Sequence, residues 1–126
     1  MASSEYKPKR ISKNKKINKY NAVPCTVDNI RFHSTAEAKR YKFLKNQERL
    51  NKISNLQLQV PFVLSEPETI KYIADFTYYK DGIFIVEDVK SPLLAKTEVW
   101  KIKSKLFFNK NSFYIKVVHP YKVLIL

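Results

Sequence analysis

Apolar and polar positions change period several times along the chain, and each change marks an element. Ala22–Val27 and Ile30–Phe32 flank Asp28-Asn29, which predicts a short hairpin with a tight turn. From Ser34 the period becomes helical. The stretch STAEAKRYKFLKNQERL predicts a helix of about fifteen residues, with Ser34 and Glu37 spaced as a capping box. Gln57–Leu64 alternates as a strand, and Pro61 within it predicts an edge position or a bulge. Ile70–Tyr79 and Ile83–Lys90 read as two further strands joined through Lys80-Asp81-Gly82. Thr97–Phe108 returns to the helical period, with Val99, Trp100, Ile102, Leu106 and Phe107 on its apolar side. Phe113–Val118 and Tyr121–Leu126 read as late strands, and Leu93–Lys96 as a loop before the second helix. The predicted order is β-β-α-β-β-β-α-β-β, an α/β domain with a mixed β-sheet flanked by helices.

The hairpin over residues 70–90 is the most informative stretch. A type I′ turn needs positive φ at both central positions, and Asp81-Gly82 satisfies that demand. With those two residues as the loop, Lys80 pairs with Ile83 and Asp75 lies opposite Asp88 on the same face. Alternation adds Lys90 to that face and turns Glu87 to the other, where it reads as structural. A four-residue loop keeps this register, whereas a three-residue loop slips it by one. Two opposed carboxylates destabilise a ladder. The flanking run Ile83, Phe84, Ile85 and Val86 predicts a central, buried strand. Carboxylates in such a place are protonated, paired with a cation or bound to a metal. Lys90 neutralising the pair is one reading. A hard divalent cation such as Mg²⁺, which takes a few carboxylate oxygens with water and phosphate, is the better fit.

Charge narrows the class of partner. The 126 residues (14.9 kDa) carry 24 Lys and Arg against 11 Asp and Glu, a net charge of +13, enough chain for one domain. Nucleic acid is the leading partner for a small basic domain, and charge alone also admits an acidic membrane surface or an acidic protein. Residues 1–20 form a basic arm with seven Lys or Arg and one Glu, leaving +7 on the rest. Lys7, Lys9, Arg10, Lys13, Lys15 and Lys16 suit phosphate contacts, or simply a solvated tail. The clusters Lys7–Arg10 and Lys13–Lys16 also pass as a nuclear-import signal in a eukaryotic host. No apolar run reaches the roughly 18 residues of a membrane span, and the arm lacks the apolar stretch of a secretory signal. The single cysteine, Cys25, excludes an intramolecular disulfide and a Cys-rich zinc site, and fits a reducing compartment.

Asp75, twelve intervening residues, and then Asp88-Val89-Lys90 resemble the signature of the PD-(D/E)XK nuclease superfamily. The wider pattern runs through Phe32, Ser34, Glu37-Ala38, Arg40-Tyr41, Gln59, Ile73-Ala74-Asp75-Phe76, Val86–Lys90 and Lys101-x-Lys103-x-Lys105-Leu106-Phe107. It is similar to a small phage and prophage branch that resembles Holliday-junction resolvases. Ala74 stands where the signature has Pro, and Ser91-Pro92 where the branch usually has Gly. The resemblance covers roughly residues 27–110 and implies a restriction-endonuclease-like fold for the domain at 21–126 and Mg²⁺-dependent DNA cleavage, with Mn²⁺ as a substitute. It implies Asp75 and Asp88 as metal ligands together with the Val89 carbonyl, and Lys90 orienting the attacking water. Glu37 matches the first-motif glutamate. As a capping-box residue it would instead close the helix, and a carboxylate reaching back to the Ser34 amide is poorly placed for metal.

Gln59 suits a water or phosphate contact, or a polar strand edge. Lys101 and Lys105 share a helical face fit for phosphates and Lys103 does not join them; a solvated face explains these lysines equally. Trp100 reads as core. His33, His119 and Cys25 lack partners at the spacing that metal binding or nucleophilic chemistry needs. The resemblance implies a branched or junction DNA substrate, and junction cleavage needs two cuts related by symmetry, so a homodimer is expected. The compartment expected is the cytoplasm of a bacterial or phage-infected cell, or the nucleus of a eukaryote. Two rivals use the same charge: a catalytically inactive DNA-binding protein on a nuclease fold, and an RNA-binding protein, which leaves the paired acids unexplained.

Overall fold

Two tight turns set the path of the chain. In the computed structural model, which describes residues 23–66 and 70–120, Asp28 and Asn29 adopt φ of 53° and 64°, and Asp81 and Gly82 adopt 52° and 78°. Both are two-residue loops with left-handed backbone at each central position. The first joins β1 (Cys25–Val27) to β2 (Ile30–Phe32). The second joins β4 (Ile70–Lys80) to β5 (Ile83–Val89), with Lys80 opposite Ile83 as the turn chemistry predicts.

Helix α1 (Thr35–Arg49) starts where Ser34 Oγ accepts the Glu37 N–H at 3.1 Å. Its buried stripe, Ala38, Tyr41 and Leu44, packs with Phe32, Ile53, Phe76 and Tyr78 as one core. Strand β3 (Ser54–Ser65) is longer than the alternation suggested and lies at the sheet edge, where Pro61 is tolerated. Helix α3 (Glu98–Asn111) is capped by Thr97 and buries Trp100 and Phe107 with Leu64, Tyr72, Ala74, Val86 and Ile115 as a second core. Full burial of a side chain such as Phe107 stabilises by roughly 1.5–3 kcal/mol. Strand β6 (Lys116–Val118) runs parallel to β5 and completes a mixed sheet in the order β3-β4-β5-β6.

The two cores lie on opposite faces of this sheet. Along β5, Ile85 and Val89 join the α1 core while Phe84 and Val86 join the α3 core. In the neighbouring strands the faces switch. Leu56, Leu58, Phe76 and Tyr78 belong to the α1 core, but Phe62, Leu64, Tyr72 and Ala74 belong to the α3 core. All eight are even-numbered, so strict alternation would put them on one face. The switch falls at Gln59, in left-handed backbone (φ 51°), and at Asp75, and the β3–β4 ladder skips that level.

The segment after Lys90 corrects the loop expected there. Pro92–Ala95 forms a short helix, α2, with Ser91 as N-cap accepting the Leu94 N–H at 3.1 Å. The described order is therefore β-β-α-β-β-β-α-α-β. The strand expected over Phe113–Val118 shortens to β6, because Ser112 ends α3 in left-handed backbone and the chain reaches β5 only at Lys116. The arm and the strand expected over 121–126 lie outside the described residues.

Candidate functional site

The β4–β5 ladder runs as far as Phe76 opposite Glu87, one level short of the two aspartates. At the next level side chains replace backbone partners. The Asp75 N–H donates to Asp88 Oδ1 (3.1 Å), and the Val89 N–H donates to Asp75 Oδ2 (2.8 Å). Each carboxylate thus holds the opposite strand at the point where the sheet parts, and Asp75 and Asp88 meet as the hairpin register requires. Lys90 Nζ lies 3.1 Å from Asp88 Oδ2 and 4.7 Å from the centre of the Trp100 ring. Trp100 is core, as expected, and it also braces this ammonium. The Lys90 backbone is fixed on both sides, its N–H donating to the Val118 carbonyl and its carbonyl meeting His119 Nδ1 at 2.7 Å.

Burial, then Asp88, then Glu37 push the Asp75 carboxyl up to about 8. Burial raises the Glu37 pKa as well, with His33 opposing. Glu37 meets two geometric demands that the sequence set against each other. Its N–H is capped by Ser34, and its Oε1 accepts the His33 N–H at 3.4 Å rather than the Ser34 amide. The carboxyl therefore stays beside Asp75 and Asp88 while the helix start is closed.

Glu87 goes to the other face. It is fully buried, paired with Arg40 of α1 at 2.5 and 3.1 Å, and accepts the Tyr78 hydroxyl at 2.6 Å. That network ties α1 to the strand that carries Asp88.

The acids and Lys90 line a cleft of about 670 Å³ between the start of α1, the ends of β4 and β5, and α3. Val89 lines it too, as do His33, Lys71 and Lys103. Of the three candidate lysines on α3, Lys103 faces this cleft, while Lys101 and Lys105 line a separate groove. The face-sharing pair is thus not the one brought to the acids. Gln59 is exposed and outside the cleft lining. Lys7, Lys9, Arg10, Lys13, Lys15 and Lys16 lie outside the described residues. Cys25 Sγ sits 4.0 Å from the Ser34 carbonyl.

Lys71 and Tyr72 were not legible as site residues, since they stand just before the Ile73-Ala74-Asp75-Phe76 motif and outside it. Arg40 lies in the wider pattern, but nothing there marks it as the partner of Glu87. Tyr72 is buried in the cleft wall, and its hydroxyl makes no hydrogen bond of acceptable geometry. Burial first and then Asp88 raise its pKa.

Among the described residues no three His, Cys, Asp or Glu side chains form a complete metal cage. The donors suited to a hard cation are Asp75 and Asp88, with Glu37 beside them. Burial, and then the neighbouring carboxylates, raise the proton affinity of Asp75, and burial raises that of Glu37, so this is a place where a cation would relieve the acids.

The fold and cleft define an α/β protein with a mixed sheet, helices on both faces, and an acid pair with a lysine at the point where two strands separate. Residues 17–124 match the family described as Protein of unknown function (DUF1064), and the chain belongs to that family. No curated protein and no solved structure matches it. No helix among the described residues is long and apolar enough to cross a membrane.

Proposed function

We propose that this protein is a metal-dependent DNA endonuclease with a restriction-endonuclease-like fold, acting on branched or junction DNA as a homodimer. The observation that carries the reading is the convergence of Asp75, Asp88 and Lys90 in one cleft, with each aspartate's carboxylate accepting a backbone N–H of the opposite strand. Such an arrangement holds two hard oxygen donors in place without spending them on each other. Mg²⁺ bound there would polarise the scissile phosphate and acidify a water. Asp75 and Asp88 would hold the ion, with Glu37 and the Val89 carbonyl as further donors. Lys90 offers an N–H donor to the water or to the phosphate oxygens as charge develops. Lys71 and Lys103 place positive charge on the cleft wall, where a DNA backbone can be drawn in. The substrate geometry and the dimer rest on the resemblance to junction resolvases.

One observation favours a second reading. Lys90 already neutralises Asp88, as in a basic DNA-binding protein that does not cleave. Wild type and the Asp75→Asn, Asp88→Asn and Lys90→Ala proteins should be incubated with linear duplex, flap and four-way-junction DNA in Mn²⁺ or Mg²⁺. The nuclease reading expects wild-type cleavage that EDTA abolishes, and loss of at least about 100-fold in each variant while DNA binding persists. Cleavage by Asp88→Asn at the wild-type rate would overturn the site assignment. Binding without cleavage by wild type would establish the second reading.

A further inference from the structure

The chain leaving α3 presents an aromatic face that neither core uses. After the left-handed cap at Ser112, alternation sends Phe113 against Phe84 and Phe107, turns Tyr114 outward, and buries Ile115. Tyr114 is 72% exposed. Its ring lies flat on Phe108, with centroids 4.3 Å apart and 18° between planes. One face of the tyrosine is thus held by Phe108 while the side chain remains open to solvent.

This stack borders a groove of about 390 Å³ along α3, lined also by Trp100, Lys101, Ser104 and Lys105. Among the described residues no acidic side chain lines it. Lys101 and Lys105 stand one helical turn apart. Lys101 approaches Glu98 at 3.8 Å, an exposed pair that water and salt screen. Trp100 belongs to the walls of both the groove and the main cleft, so the two lie side by side.

We propose that this groove holds an unpaired segment of nucleic acid beside the cleft, with a base on Tyr114 and neighbouring phosphates on Lys101 and Lys105. A flat, pre-positioned ring pair next to two cations is what binds single strands independently of sequence. Bases within a duplex are covered on both faces, so only an unpaired base can use Tyr114. The inference rests on the nucleic-acid part of the proposed function and not on cleavage.

The test is the affinity of a labelled twelve-residue oligo-dT, and of an abasic strand of equal length, measured by anisotropy in EDTA. Tyr114→Leu keeps an apolar cover over Phe108 but removes the stacking face, and Tyr114→Phe restores that face. Tyr114→Leu should weaken oligo-dT binding roughly 5- to 150-fold. Tyr114→Phe should bind as wild type does, and the abasic strand should bind all three proteins alike. Equal oligo-dT affinity in wild type and Tyr114→Leu, equal loss on both probes, or no wild-type binding to oligo-dT overturns the inference. Junction cleavage with unchanged oligo-dT binding removes this inference alone. The expected binding pattern in a protein that never cleaves sustains it and removes the nuclease reading.

Discussion

Glu87 and Asp88 are adjacent acids with opposite surroundings. Glu87 meets a guanidinium and a phenol on the α1 side, and Asp88 meets Lys90 and a second carboxylate on the other. Glu87 is fully buried and Arg40 partly so, and removing the cation leaves a buried charge uncompensated, which costs about 3–5 kcal/mol. Arg40→Ala should therefore lower the urea-unfolding free energy by that amount, whereas Arg40→Ala with Glu87→Gln should recover part of it. A single-variant loss below about 1 kcal/mol would show that the pair is not what ties α1 to β5. Alternation along β5 was enough to separate these two acids in the sequence. The partner of Glu87 was not legible, because it depends on how α1 crosses the sheet, and no local pattern encodes that crossing.

At the scale of elements, the hairpin was legible because turn chemistry settles register. Gly82 is the only glycine of the chain, and it stands where φ is +78°. A Cβ there would meet nothing within 4 Å, so Gly82→Ala carries backbone strain alone. The expected loss is roughly 1–2 kcal/mol in chemical denaturation, with the β4–β5 register kept. A larger loss with altered amide-exchange protection along β4 would show that the register had slipped.

The switch of faces in β3 and β4 was hidden for a different reason. Helices cover both sides of the sheet, so Leu56 to Leu64 and Tyr72 to Tyr78 remain apolar at even positions whichever face they point to. Alternation survives the switch and conceals it. Helix α2 did leave a signal, Ser91 followed by Pro at the first helical position, but four residues are too few to show a period.

For the whole molecule, the acidic pocket makes stability depend on pH against the usual trend for carboxylates. Asp75 is raised from an ordinary 3.8 to about 8, so the fold holds a proton that the unfolded chain releases. Between about pH 4 and pH 8 the unfolded state binds fewer protons, and the contribution of this group to stability falls as pH rises. Glu37 acts in the same direction. Wild type should lose at least about 1.4 kcal/mol relative to Asp75→Asn across that window, read from urea midpoints at successive pH values. A difference that stays constant with pH would reject the assignment. The acids lie in a chain of net charge +13, and that contrast was legible in the sequence. The cleft that frames it was not, since its walls come from α1, β4, β5 and α3 together. One wall has a practical consequence. The indole that braces Lys90 belongs to the sole tryptophan of the chain, so the light this protein emits on ultraviolet excitation comes chiefly from a ring touching the cleft. Anything that draws the ammonium away changes what that ring faces, and the unlabelled molecule reports on its own cleft through the colour and intensity of its fluorescence.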